Sequence, residues 1–165
     1  MSEVAIQKVK DATNKALPVF EDIAKRFDVV RQRAQELFDR RGELGDALAD
    51  WLKAEREVMG WAAAEMSEKG DQYEVQLTLP GFDAKEIEVT ATPTEVIVHA
   101  STSHEKKTEE GKVLWTEFGS NDVCRRFELP QPIDVEKVAA KLEKGLLRIT
   151  APKAGVQEKQ ISVAA

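Results

Sequence analysis

The sequence predicts a mainly β protein: an antiparallel β-sandwich preceded by an α-helical N-terminal region and followed by a short extended tail. Three observations lead there. Apolar residues in the first third recur at three- and four-residue steps; from Tyr73 the apolar period becomes two; and beyond Pro152 the chain is polar except for one apolar pair near its end. The expected divisions are 1–66 for the helical region, 67–153 for the sandwich and 154–165 for the tail.

Length and charge narrow the classes. A chain of 165 residues holds one domain of about 100 residues plus an extension, enough to bury a core. The formal net charge of −6 comes with no concentrated block of Lys and Arg, which argues against nucleic acid or an anionic membrane as the main partner. The single Cys, Cys124, has no internal disulfide partner, and the N-terminus lacks the basic, apolar and small-residue order of a secretory leader. The cytoplasm is the expected compartment. No apolar run approaches the length of a membrane span.

In the first region Val4, Ile6, Val9, Ala12, Ala16 and Leu17 form a loose apolar stripe, read as helical, that Pro18 interrupts; Pro18 suits the first turn of a second helix. In that helix Phe20, Ile23, Phe27, Val30, Ala34, Leu37 and Phe38 share a face. Arg40-Arg41-Gly42 ends it, with cations at the negative end of the dipole and Gly just beyond. Asp46 is the expected N-cap of a further helix whose Leu48, Trp51, Leu52, Val58 and Met59 share a face. Residues 29–62 thus read as a helical hairpin. Its stripe is a packing core or a binding face, and a two-helix hairpin cannot hide both its faces alone.

Met66 to Asp71 read as a polar connector. Tyr73, Val75, Leu77 and Leu79 then line one strand face, ended by Pro80-Gly81; Ile87 and Val89 mark a second strand, and Val96, Val98 and Ala100 a third. Residues 101–111 are polar and charged, a solvated loop leading into the isolated apolar segment around Val113, Trp115 and Phe118. Val123 to Leu129 form the next strand, stopped by Pro130. In the last hairpin Val138, Ala140 and Leu142 alternate before the Lys144-Gly145 turn, and Leu147, Ile149 and Ala151 alternate after it. Gly145 tolerates the positive φ such a turn requires, and Pro152 closes the strand. In the tail Ile161 and Val163 stand two apart, so an extended chain points both the same way.

Catalytic chemistry is not legible. His99 and His104 have no second ligand at metal-binding spacing, Cys124 has no base partner in sequence, and neither a phosphate-cradling loop nor a nucleophile turn occurs. No cofactor is expected, and the chain reads as non-enzymatic.

Ala140, Gly145 and Leu147 in the last hairpin resemble the signature of the small heat shock proteins, the α-crystallin domain family. The Leu-Pro-Gly-Phe and Lys-Glu-Ile-Glu-Val segments within Leu79 to Val89, the charged loop, Phe127-x-Leu129-Pro130 and the signature hairpin follow one another in that family's order. The resemblance implies an immunoglobulin-like sandwich and an ATP-independent holdase. Such a protein captures partly unfolded clients and holds them for ATP-dependent refolding chaperones. It also implies a homo-oligomer. Val113, Trp115 and Phe118 would lie on a strand exchanged within a dimer. Ile161 and Val163 would anchor in a groove on a neighbouring subunit, walled by Ile87, Val89, Val138, Ala140 and Leu142. Phe20, Ile23, Phe27, Val30, Leu37, Phe38, Trp51 and Leu52 become candidates for client contact. Residues 29–58 also resemble a short bacterial helical module of uncharacterised function.

Four positions depart from the family pattern: Thr94 and Ala100 stand where Gly is usual, Ile97 is apolar on a commonly polar face, and Lys144 replaces Asn or Asp before the turn Gly. Ile97 implies that the helices or another subunit cover its face. A second reading is a non-enzymatic adaptor or co-chaperone module whose helical hairpin recognises one defined partner. A monomeric adaptor has no use for the Ile161/Val163 pair.

Overall fold

The computed structural model describes residues 1–42, 45–60, 62–103, 111, 114–115 and 121–155. Two short strands open the chain, β1 (Ser2–Glu3) and β2 (Ile6–Lys8), and two helices follow, α1 (Pro18–Arg41) and α2 (Ala47–Met59). Seven longer strands complete the order: β3 (Ala64–Lys69), β4 (Gln72–Thr78), β5 (Ile87–Ala91), β6 (Glu95–Thr102), β7 (Asn121–Glu128), β8 (Ala139–Glu143) and β9 (Leu146–Pro152). One sheet runs β1-β8-β9-β4-β3 and the other β2-β5-β6-β7. The expected β-sandwich with helices before it is therefore present.

Alternation decides which face each strand buries. Val75 opposes Ile149 and Leu77 opposes Leu147 in one sheet, while Val89 opposes Val98 and Ala91 opposes Val96 in the other. These side chains are buried against one another in a single cluster between the sheets. The last hairpin closes on Glu143 and Leu146. Lys144 and Gly145 both take positive φ, 50° and 77°, which gives the primed two-residue turn whose twist suits a hairpin. The Gly145 carbonyl then accepts the Leu79 N–H at 2.7 Å, tying the turn to the end of β4.

The helix limits follow the expected signals. Pro18 occupies the first turn of α1, and the Gly42 N–H bonds the Phe38 carbonyl at 2.9 Å beyond its end. The Asp46 carboxylate accepts the Leu48 N–H at 2.9 Å, capping α2. The apolar faces of the pair form a second core with Ile97 of β6 and Cys124 of β7. Ile97 is apolar because the helices cover its face.

Two segments differ from the sequence expectation. Residues 1–17 are not helical: β1 pairs antiparallel with β8 and β2 pairs parallel with β5. Val4 and Ile6 fit a period of two as well as a loose helical stripe, and pairing with two open strand edges selects the extended form. The polar run Met66 to Asp71 is largely strand, because β3 pairs with β4 along its whole length and turns at Gly70. Its side chains are exposed apart from a half-buried Ser67, so a strand at the sheet margin carries no apolar alternation to read.

Candidate functional site

The groove named from the family resemblance falls between β5 and β8, each of which lies next to the outermost strand of its sheet, β2 and β1 respectively. Ile87 and Val89 on the β5 side and Val138, Ala140 and Leu142 on the β8 side are all buried in the sandwich core. The structure thus brings together the five residues named for the groove. It also fills the space between them with the chain's own N-terminus. Ser2 pairs with Leu142 and Glu3 with Lys141; after Val4 the chain crosses to the other sheet, where Ile6 pairs with Val89 and Lys8 with Ala91. The Val4 N–H donates to the Ala140 carbonyl at 3.0 Å, the Val89 N–H to the Ala5 carbonyl at 3.4 Å, and the Val9 N–H to the Ala91 carbonyl at 2.8 Å. Val4 is 5% exposed, and Ile6 packs against the same core. Sequence reasoning missed Val4 and Ile6; their two-residue spacing, like that of Ile161 and Val163, was the available signal.

The strand-exchange candidates are divided. Trp115 is 76% exposed, with Leu114 beside it 87% exposed. Val113, Phe118, His104 and the anchor residues Ile161 and Val163 lie outside the described residues. At the far margin of the larger sheet the outer side of β3 is unpaired among the described residues.

The client-contact candidates are mostly turned inward. Ile23 and Val30 are buried, and Phe20, Phe27, Leu37 and Trp51 pack around them; Phe38 is half-buried, whereas Leu52 is exposed, as are nearby Leu48 and Val29. Where α1 and α2 meet β7 and the start of β3, a cleft of about 600 Å³ opens, lined by Ile23, Phe27, Leu52, Met59, Ala64 and Cys124 among others.

Polar contacts hold this helical pair to the sheet. The Arg26 guanidinium bonds the Asp22 carboxylate at 2.9 Å and the Asp122 carboxylate at 3.0 Å, and His99 Nε2 stands 3.2 Å from Asp122. Burial pushes the Asp122 carboxyl up, but Arg26 and His99 outweigh it and hold the group below the usual carboxylate range. The Cys124 thiol beneath is buried, which pushes its pKa up to about 11, so the thiolate needed for reactivity is scarce. His99 thus joins the Arg26–Asp122 contact, a latch that ties α1 to β7 and β6. Among the described residues no group of His, Cys, Asp and Glu is arranged to hold a metal, and no helix is long and apolar enough to cross a membrane.

Glu95 provides a second tie. Its side chain is 4% exposed and receives Lys15 Nζ at 2.8 Å and Arg126 Nε at 2.5 Å. Burial raises its pKa, yet the hydrogen bonds from Lys15 and Arg126 prevail and lower it. A depressed folded pKa contributes stability that is fully present above the unfolded value, about 4.3, and is lost as pH falls through the folded value. Glu95→Gln is expected to cost about 1–3 kcal/mol at neutral pH and to flatten the loss of stability below about pH 4; urea midpoints across pH 3 to 7 check both.

Residues 65–164 match the Hsp20/alpha crystallin family. The chain belongs to that family. Residues 26–60 match a second, described as a protein of unknown function, DUF2934. Among curated relatives, the spore protein SP21 of Stigmatella aurantiaca is 38% identical over 103 residues, 62% of this chain and 61% of that protein. The 16.9 kDa class I heat shock protein 1 of Triticum aestivum is 33% identical over 101 residues, 61% of this chain and 67% of its own length. The match thus spans less than two thirds of the spore protein. Among solved structures, heat shock protein 16.0 from Schizosaccharomyces pombe superposes with a TM-score of 0.51 at 24% identity, covering 63% of this chain and 96% of that one; this likeness concerns the fold. Membership in the Hsp20/alpha crystallin family agrees with the lack of a catalytic motif in the sequence.

Proposed function

We propose that the chain is an ATP-independent holdase that works as a dynamic homo-oligomer, keeping partly unfolded proteins from aggregating until ATP-dependent chaperones refold them. The observation that carries this reading is the groove between β5 and β8. Its walls are apolar side chains and backbone groups that pair with an extended segment carrying two branched residues, here Val4 and Ile6 of the same chain, and Ile161-x-Val163 has the same two-residue spacing. Burying two branched side chains gives roughly 1.5–3 kcal/mol each before ordering costs. One tail binds weakly, and many tails in one assembly hold through high effective concentration.

Strand exchange supports a dimer as the unit. A crossing strand needs an open edge, and among the described residues β3 offers one six residues long. The exposed Trp115, between β6 and β7, suits a segment whose partner is another subunit. Clients would then meet apolar surface in the cleft under α2 and on the exposed Leu48 and Leu52.

The test is light scattering from a heat-labile client in buffer without ATP. Suppression near equimolar subunit ratio is expected, and its absence across the temperature range would reject the holdase in favour of an adaptor. The variant Ile161→Ala with Val163→Ala is expected to run as dimers or small oligomers in light-scattering chromatography; unchanged large assemblies would remove the tail from the mechanism.

A further inference from the structure

We propose that the β5/β8 groove is a contested seat: Val4-x-Ile6 fills it from within the subunit, and Ile161-x-Val163 of a neighbouring subunit must displace it to bind. The inference rests on the anchoring role proposed for the tail. It adds that the N-terminal segment gates that anchoring.

The geometry excludes joint occupancy. The Ala140 carbonyl accepts from Val4, the Val89 amide donates to Ala5, and Val4 and Ile6 cover the apolar walls. A second extended chain in the same place would need those same backbone groups and the same covered surface. The two segments also match in kind, since each carries two β-branched apolar residues with one residue between them. Either can present both side chains to one side of an extended chain.

The seat is built to be left. β1 has two paired residues and β2 three, and such short pairings at a sheet margin open at low cost. Beyond them, the Lys10–Glu136 ion pair at 3.1 Å has both partners exposed, 77% and 54%, and such pairs contribute little. The segment therefore holds the groove closed by local contacts, while a tail gains from multivalency. Raising subunit concentration favours the tail, and dilution favours the internal segment.

A fluorescent peptide with the sequence of residues 157–165 tests this on full-length chains whose own tail is silenced by Ile161→Ala and Val163→Ala. Val4→Ser with Ile6→Ser is expected to tighten peptide binding about tenfold or more, because an occupied seat lowers apparent affinity by its free fraction. The converse variant locks the segment in. Val4 donates to Ala140, so the neighbouring Glu3/Lys141 pair is a non-hydrogen-bonded pair, close enough for a disulfide. Glu3→Cys with Lys141→Cys is expected to lose peptide binding when oxidised and regain it with reductant. Equal affinity in all forms, oxidised and reduced, would overturn the gate while sparing the tail anchor. Binding to none of them, the Val4/Ile6 variant included, would overturn both.

Discussion

Gly60→Ala is expected to lift the helical pair off the sheet and expose Cys124. Gly60 ends α2 at φ 80°, and a Cβ there would lie 2.3 Å from the Asp122 carbonyl oxygen and 3.2 Å from Val123 Cα. The obstacle is backbone of a paired strand, so it cannot swing aside as a side chain does. The left-handed φ adds a cost for any residue with a Cβ. The least costly relief is separation of α2 from β7. The helix-side core is distinct from the sandwich core, so the sandwich is expected to stay folded. Freed from burial, the thiol returns from about 11 toward its ordinary pKa of about 8.5, raising its reaction rate with a disulfide reagent at neutral pH on the order of a hundredfold. An unchanged rate with an unchanged circular dichroism spectrum would mean that α2 does not depend on this close approach.

The second large effect belongs to the sandwich itself. Leu147 is fully buried and stands opposite Leu77 on β4 and Leu142 on β8. Leu147→Ala leaves a cavity that neighbours on both sides of the strand cannot fill, and is expected to cost about 3–5 kcal/mol. For a domain whose total stability is roughly 5–15 kcal/mol, that loss threatens folding at growth temperature. Arg148→Ala on the same strand, with its side chain half-exposed, is the control and is expected to stay within about 0.5 kcal/mol. Urea midpoints for the two variants separate them, and equal midpoints would contradict the assigned strand register.

Where one element's own chemistry specified its state, the sequence was legible. Pro18, Gly42 and Asp46 mark helix limits through φ restriction, left-handed backbone and side-chain capping, and all three do so in the structure. The alternation from Tyr73 to Ala151 places β4 to β9 because each turns one face to the sandwich core, while β6 and β7 also bury Ile97 and Cys124 under the helices on the other. Legibility failed where a partner far along the chain decides. Residues 2–8 adopt strand because β8 and β5 present open edges to them, and nothing within the segment outweighs a weak helical stripe. β3 is paired on one side and wet on both faces, so it carries no pattern. At the site, the five residues that the family resemblance names for a groove all lie in the sandwich core, beside the N-terminal segment. That segment's place there was not legible, and neither was the Arg26–Asp122–His99 latch, whose members come from α1, β7 and β6.

The strands at the groove also impose an order on folding. β2 awaits β5 and β1 awaits β8, which follows both helices and strands β3 to β7 in the chain. Contacts so distant along the chain carry a high closure cost and form late. On the ribosome, Ile6 therefore stays unpaired until β5 has been made, and Val4 until β8 has. Under the gating proposed above, a newly made subunit in which the sandwich has closed before residues 2–8 pair would offer its groove to a neighbour's tail without competition.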